Sequence, residues 1–242
     1  RNDDADRYLR HAAVLALSRL ADADALAGLA DHANRSVRLC AVLALRRQAS
    51  PALARFLADA DFQVAAEAAR AIWDARVEAA LVDLAATLDA RPRADFAHGH
   101  SAGFSRRAIL ANLHIGDAAA RARLIALADA PLAADDKRVL ALETLLRWDA
   151  PPEKEEVWYD FWPAWPRAPG IAATAWREAV ASGRAERIRG RSEALRMATR
   201  RLDAELLPPR PTADHLRDIE DPAENEHLRL DSLRLLTLRA ED

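Results

Sequence analysis

The chain has 242 residues, of which 51% are hydrophobic and 5% aromatic, and 35 Lys+Arg against 38 Asp+Glu give a formal net charge of -3. This length suffices for one large or two small domains with a substantial core. A single cysteine, Cys40, excludes a disulfide-stapled fold, no apolar run is long enough for a transmembrane helix, and the missing basic excess argues against a dedicated nucleic-acid binder.

An internal repeat is the strongest pattern in the sequence. The template is Val37 to Leu45, VRLCAVLAL, and it recurs from Leu9, Ser105, Lys137 and Leu228 and, more weakly, from Val64. Small or apolar residues at template positions one, five, eight and nine form one stripe of an amphipathic helix. Alanine makes up about a quarter of the chain and glycine is scarce, which favours helix over sheet.

Shorter helical stretches separate the template helices. They are predicted at 24–30, 51–58, 77–88 and 118–128, with aspartate and proline at the joins. Acidic residues just before a helix satisfy its free N–H groups and complement its dipole. The unit is therefore helix, turn, helix, with a period of about thirty residues. We predict an all-α, right-handed α-α solenoid of the armadillo type with about six to seven helical pairs.

Residues 31–45 and 129–145 resemble the short class of HEAT-like repeats, in which Asp and then Val-Arg precede an Ala/Leu-rich second helix. The resemblance implies that the recurring arginine forms hydrogen bonds to the turn of an adjacent repeat, as one step of a structural ladder. The arginines at this position are Arg10, Arg38, Arg106, Arg138 and Arg229. Ala65 replaces the arginine in the weaker match. The alternative, a stripe for phosphates, requires the same arginines on an exposed concave face.

An insertion at Asp89–Phe104 lengthens the interval between two repeats. It contains His98 and His100, and His114 follows in the next helix. A His-x-His pair suits Zn²⁺ or copper, but no cysteine or second pair completes a site. We expect a solvated loop and assign no metal ligand.

A second departure, Pro151–Gly170, is rich in tryptophan and has a proline-rich boundary at each end. The aromatic residues Trp158, Tyr159, Phe161, Trp162 and Trp165 fall within eight positions. They either pad one face of the solenoid as part of a crossover or form an exposed docking patch, since Trp and Tyr concentrate binding energy at interfaces. The sequence leaves both interpretations open.

The C-terminal part, 171–242, is less regular. Helices are predicted at 171–181, 192–207, 212–219 and 226–239, with a proline-rich break at 208–211. We expect one solenoid domain over 1–242, with five regular pairs in 1–150 and the crossover at 151–170. The sequence begins at Arg1 without a signal peptide and enters a helical pattern almost at once. We therefore expect it to be a segment excised from a longer protein.

Motifs for catalysis or cofactors are missing from the sequence. It has no Gly-rich phosphate loop, no paired cysteines, no G-x-S-x-G and no H-E-x-x-H. The HEAT-repeat di-iron hydroxylases use His-Glu dipeptides, and only the reverse pair, Glu226-His227, occurs here. We therefore predict a non-catalytic interaction or spacer scaffold without a cofactor.

A further resemblance is to the helical middle domain of large secreted bacterial proteins that join a dehydrogenase-like β-propeller, a HEAT-like solenoid and a c-type cytochrome domain. The stretches 6–20, 37–47, 106–116 and 146–152 carry it. It implies a spacer whose partners are another protein or neighbouring domains of the same chain, in an extracytoplasmic compartment. Neither the propeller nor a Cys-x-x-Cys-His haem motif is present in this sequence.

Two other HEAT-like families remain as alternatives. The alkylpurine DNA glycosylases resemble this chain in size and in their use of Trp, Asp and Arg on a concave face, but they are basic where this chain is slightly acidic. Tight, strongly salt-dependent duplex binding would support them. The bilin-lyase type of short HEAT repeat is the third possibility.

Overall fold

A computed structural model describes residues 6–91, 93–96, 102–208, 211–222 and separate positions between 226 and 237. The described residues form helices and no β-strand, which confirms the expected all-α class. The α-helices are α1 (Arg7–Leu20), α2 (Ala23–Ala27), α3 (Arg35–Arg47), α4 (Phe62–Asp74), α5 (Leu81–Ala90), α6 (Ala102–Ile115), α7 (Ala118–Asp129), α8 (Asp135–Leu146), α9 (Ile171–Ala181), α10 (Arg184–Arg189), α11 (Glu193–Leu206) and α12 (Thr212–Glu220). Short 3₁₀ helices occupy Gly28–Asp31, Pro51–Ala58, Glu78–Ala80 and Arg93–Phe96.

The chain divides into two units, Arg1–Leu206 and Leu207–Asp242. The first contains α1 to α11 and the crossover, and the second contains α12. In the second unit His215 is buried and its Nδ1 lies 3.4 Å from Ser232 Oγ, whose hydroxyl donates to Asp218. The single continuous domain expected from the repeat stays a prediction.

Helix starts follow the capping chemistry that the sequence indicates. The Asp61 carboxylate accepts from Gln63 N at 2.9 Å to begin α4, and that of Asp117 accepts from Ala120 N at 2.6 Å to begin α7. Ser50 caps Pro51–Ala58, whose proline sits where a missing N–H costs nothing. That element is a 3₁₀ helix, the more tightly wound form whose hydrogen bonds join residues three apart.

The helices of the first unit form two rows. In the first row each helix packs against the next, in the order α1, α3, α4, α6, α8, α11. In the second row α2 contacts Pro51–Ala58, which contacts α5, which contacts α7, which contacts α10. The apolar core lies between the rows, where Leu45, Phe56 and Ile72 are completely buried.

Template position eight explains why the first row packs closely. It is occupied by Ala44 in α3, Ala71 in α4, Asn112 in α6 and Thr144 in α8, and all four are completely buried. The two polar members are satisfied by carbonyls: Asn112 Nδ2 donates to Ala85 O and Ala108 O, and the Thr144 hydroxyl donates to Leu140 O. Small side chains here let neighbouring helices approach without leaving an unpaired polar group.

The predicted loop at Asp89–Phe104 is helical at both ends. Helix α5 continues to Ala90, a 3₁₀ turn covers Arg93–Phe96, and α6 begins at Ala102. Phe96 and Phe104 pack against each other with ring centroids 6.2 Å apart, and both are buried. The segment is therefore tied to the core in its middle, at Phe96, and at its C-terminal end, at Phe104. The short helix α10 was not predicted.

Candidate interaction surface

Arg38 has the clearest role among the five repeat arginines. Its Nε and Nη2 donate to the Asp59 carboxylate at 2.7 and 3.0 Å, and its Nη1 donates to His32 O at 2.9 Å. The bonds to Asp59 raise the pKa of Arg38 above its ordinary value. Arg38 thus joins the turn of its own helical pair to that of the next pair.

The remaining repeat arginines differ in what they bind. Arg138 is buried and donates to Ala128 O and Asp135, so it holds the turn before its own helix. Arg229 donates to Ile219 O. Arg106 instead donates to Glu156 in the crossover. Arg10, on α1, is half-buried and lines a groove between α1 and α3.

The crossover segment, Pro151–Gly170, contains no helix and folds back on itself as a hairpin. Glu155 N donates to Asp160 O and Trp162 N donates to Glu153 O, both at 2.9 Å, and Lys154 and Phe161 form an antiparallel bridge. Tyr159 turns the chain with a φ of 60°. We call residues 153–162 the aromatic hairpin.

A buried carboxylate organises the tip of the aromatic hairpin. The Glu155 side chain accepts from Val157 N at 2.7 Å, from Trp158 N, and from Trp73 Nε1 of α4 at 2.9 Å. Burial alone would raise the pKa of Glu155, but these hydrogen bonds lower it below its ordinary value. The carboxylate therefore stays ionised and fixes the turn that carries Trp158 and Tyr159.

The structure divides the five candidate aromatic residues into two groups. Trp158, Tyr159 and Phe161 are 55%, 71% and 63% exposed, whereas Trp162 is only 7% exposed and Trp165 is half-buried. The first group lies at the tip of the aromatic hairpin and the second packs on the helices. The packed pair agrees with the padding interpretation, and for the three exposed residues the docking patch stays a prediction.

His114 of α6 forms the floor beneath the packed group. Its ring lies 4.4 Å from the Trp162 ring and 5.9 Å from the Trp165 ring, and Trp162 also meets Trp73 at 4.9 Å. The pKa of His114 is lowered to about 4, mainly by desolvation; the charge of Glu78 opposes this shift and that of Arg167 adds to it. His114 is therefore neutral near neutral pH.

Arg167 anchors the far end of the crossover. Its guanidinium donates to Leu113 O and His114 O at the end of α6 and to Trp148 O just after α8, and it stacks 5.2 Å above the Trp148 ring. A cation at the carboxyl end of a helix is favoured by the helix dipole. Gly116 makes room for this contact, because it has a φ of 74° and a Cβ there would lie 2.6 Å from Arg167 Cζ.

Asp74, at the end of α4, collects cationic side chains from three helices. Its carboxylate accepts from Arg46 of α3 at 3.4 Å, from Arg70 at 3.2 Å and from Arg107 of α6 at 3.1 Å. Trp158 Nε1 completes the set at 2.9 Å. Burial would raise the pKa of Asp74, but the Trp158 and arginine contacts lower it below its ordinary value. Asp74 thus connects the hairpin tip to the first helix row.

Comparisons were made with protein-family models, curated proteins and solved structures. Nothing matched.

The described part of the chain offers neither a candidate metal site nor a candidate membrane-spanning helix. His98 and His100 lie outside the described residues, and no cluster of His, Cys, Asp or Glu suited to a metal ion occurs within them. None of the described helices is long and apolar enough to cross a membrane.

Sequence reasoning missed Asp74, Glu155 and Arg167, the residues that fix the crossover. Each acts through contacts distant in the sequence, so local patterns carry little trace of them. One signal was available for Arg167: it is the only arginine between Pro151 and Gly170, a segment that lacks helical periodicity.

Proposed function

We propose that this chain is a non-catalytic, HEAT-like helical scaffold that binds a protein partner through the tip of its aromatic hairpin. The observation that carries the proposal is the contrast within one segment. Trp158, Tyr159 and Phe161 face solvent, while the backbone that presents them is held by Glu155 and the neighbouring Trp162. Exposed aromatic side chains on a fixed backbone lose little entropy on binding, which favours affinity.

The arrangement of the helices supports a solenoid as the scaffold. Each helix of the first row packs on the next, and the second row follows the same order. Arg38 forms hydrogen bonds to its own turn and to the next one, and such a turn-to-turn contact is what the HEAT-like resemblance implies for its position. We propose the right-handed α-α superhelix on this basis.

The DNA-glycosylase alternative draws on the meeting of Trp158, Asp74 and Arg107 on one surface. The Asp74 side chain is only 6% exposed and is bound by three arginines and one indole. A carboxylate held in this way has no free face for a reacting sugar or base, so the geometry favours the scaffold. Strong, salt-sensitive duplex binding would reverse this preference.

The wider setting follows from the second resemblance. We propose that the helical domain serves as a spacer between a dehydrogenase-like domain and a c-type haem domain of an extracytoplasmic protein. A haem assay on the natural full-length protein tests this. Covalent haem on a polypeptide much larger than 26.6 kDa would support it, and a haem-free protein of about that size would contradict it.

The scaffold itself is tested by removing the exposed aromatics. We expect the combined variant Trp158→Ala, Tyr159→Ala and Phe161→Ala to lose a partner that the wild type captures from an extract of the source organism. With the purified partner, calorimetry should show a loss of at least about thirtyfold in affinity, as for interface hot spots.

The matched control removes exposed apolar side chains elsewhere, through Val82→Ala, Leu132→Ala and Val180→Ala, which are 49%, 63% and 42% exposed. It should bind like the wild type. If no captured protein distinguishes the two triple variants, the proposed role of the hairpin tip fails.

A further inference from the structure

A second surface feature lies beside the aromatic hairpin, between α1, α3 and the end of α4. It is an open groove of about 780 Å³, lined on one side by Tyr8 and His11 and on the other by Leu43, Arg46 and Arg47. Asp74 and Ala75 close one end. The groove and the hairpin tip meet there, because Asp74 accepts the Trp158 indole N–H.

The groove has an excess of positive charge. Asp74, the single carboxylate in its lining, is already shared by Arg46, Arg70 and Arg107. Arg47 is exposed at the end of α3 and has no carboxylate partner among the described residues. Glu67 also pairs with Arg46, but the lining contains four arginines and one carboxylate, so the formal charge of the groove is positive although the whole chain has a net charge of -3.

The groove also offers apolar surface between its charges. Leu43 is half-buried and Val14 is buried, so they form a floor. Tyr8 is 71% exposed and forms a wall, with the Arg7 guanidinium 5.1 Å from its ring centroid. Such a lining matches a ligand in which carboxylates alternate with apolar side chains.

We propose that this groove binds an acidic, extended peptide segment of the protein partner. The proposal rests on the scaffold function and names the chemistry of what the scaffold binds. A carboxylate of the peptide would pair with Arg47, and its apolar side chains would lie on Leu43 and against Tyr8. Arginine suits this task because its planar guanidinium matches a carboxylate in a two-pronged contact.

A peptide fits this surface better than a nucleic acid. Phosphate backbones are recognised by long basic tracks. Here carboxylates border the basic region: Glu67 pairs with Arg46 at the groove itself, and Glu156 of the crossover pairs with Arg106. The positive charge is confined to a groove that one short segment of chain would fill.

The test uses a fluorescein-labelled peptide of about ten residues that alternates Glu and Leu, titrated with the whole chain by fluorescence anisotropy. We expect binding that weakens as NaCl rises from about 0.05 M to about 0.3 M. Arg47→Glu should weaken it at least about tenfold, because a charge reversal turns an attraction into a repulsion.

Arg177→Glu is the matched control. Arg177 lies on the exposed face of α9 and its side chain contacts only Thr174 among the described residues, so this reversal changes the net charge equally at a remote site. Its affinity for the peptide should equal that of the wild type. Circular dichroism should show that both variants fold.

Three results would overturn the proposal. They are no peptide binding by the wild type, equal binding by Arg47→Glu, or a duplex DNA probe that binds more tightly than the peptide in an Arg47-dependent way. The triple hairpin variant separates this proposal from the scaffold function. If that variant loses its captured partner while the peptide fails to bind, only the groove proposal is wrong.

Discussion

In α3, α4, α6 and α8 template position eight performs the same task from one helix to the next, whereas in the crossover each side chain has a task of its own. Position eight is small or internally bonded in Ala44, Ala71, Asn112 and Thr144. Nothing in the crossover recurs in this way: Glu155 binds backbone N–H groups, and Arg167 binds helix ends. The repeated contacts of the helical pairs therefore form a uniform support, and the contacts of the crossover, which occur once each, form a distinctive surface.

The largest effect is expected from Trp162. Trp162→Ala should lower the free energy of unfolding by about 3–5 kcal/mol, since it removes a buried ring packed on Trp73 and His114. Urea unfolding measures this. Phe161→Ala, next in sequence but exposed, should change stability by less than about 0.5 kcal/mol. Equal effects of the two variants would mean that the crossover is not part of the cooperative unit.

Arg38 provides the corresponding experiment in the repeats. Arg38→Gln should cost about 3 kcal/mol, because it leaves the Asp59 side chain, which is 3% exposed, without its charge partner. The control is Arg35→Gln on the same helix, whose half-exposed ion pair with Asp61 is worth less than about 1 kcal/mol. Thermal and urea unfolding compare them. If both variants match the wild type, the turn-to-turn bond contributes nothing to stability.

His114 gives a smaller effect that depends on pH. Its pKa is lowered to about 4 in the folded chain, so the unfolded chain binds the proton more readily as pH falls from about 6.5 towards 4. The contribution is fully present above that window and is lost within it. Between about pH 7 and about pH 5 this one group should remove about 2 kcal/mol of stability.

The measurement is urea unfolding at both pH values for the wild type and for His114→Phe, in which the decline should be shallower by that amount. His32→Gln, at an exposed histidine, controls for general effects of histidine loss. An unchanged decline in His114→Phe would show that this ring does not resist protonation in the folded chain.

The sequence predicted the periodic part well for a physical reason. Burial every three or four residues and caps such as Asp61 are encoded within one or two turns of helix, so they can be read locally. The same reading located the crossover and its aromatic residues. The Pro51–Ala58 helix was expected, although its 3₁₀ form was not.

The candidate site could not be predicted in the same way. Trp73 and Glu155 are 82 residues apart, and Trp158 reaches Asp74 across 84. Each contact depends on where α4, α6 and α8 come together, which local pattern does not encode. For the same reason the sequence could not say which aromatic residues of the crossover are exposed.

The Arg167 anchor has a consequence for how this surface can change. Because Arg167 holds the far end of the crossover, Glu155 holds the hairpin turn and Trp158 is bonded to Asp74, the side chains at 159 and 161 can be exchanged without breaking any of these contacts. New specificities can therefore be selected from libraries at two positions while the helices beneath stay constant.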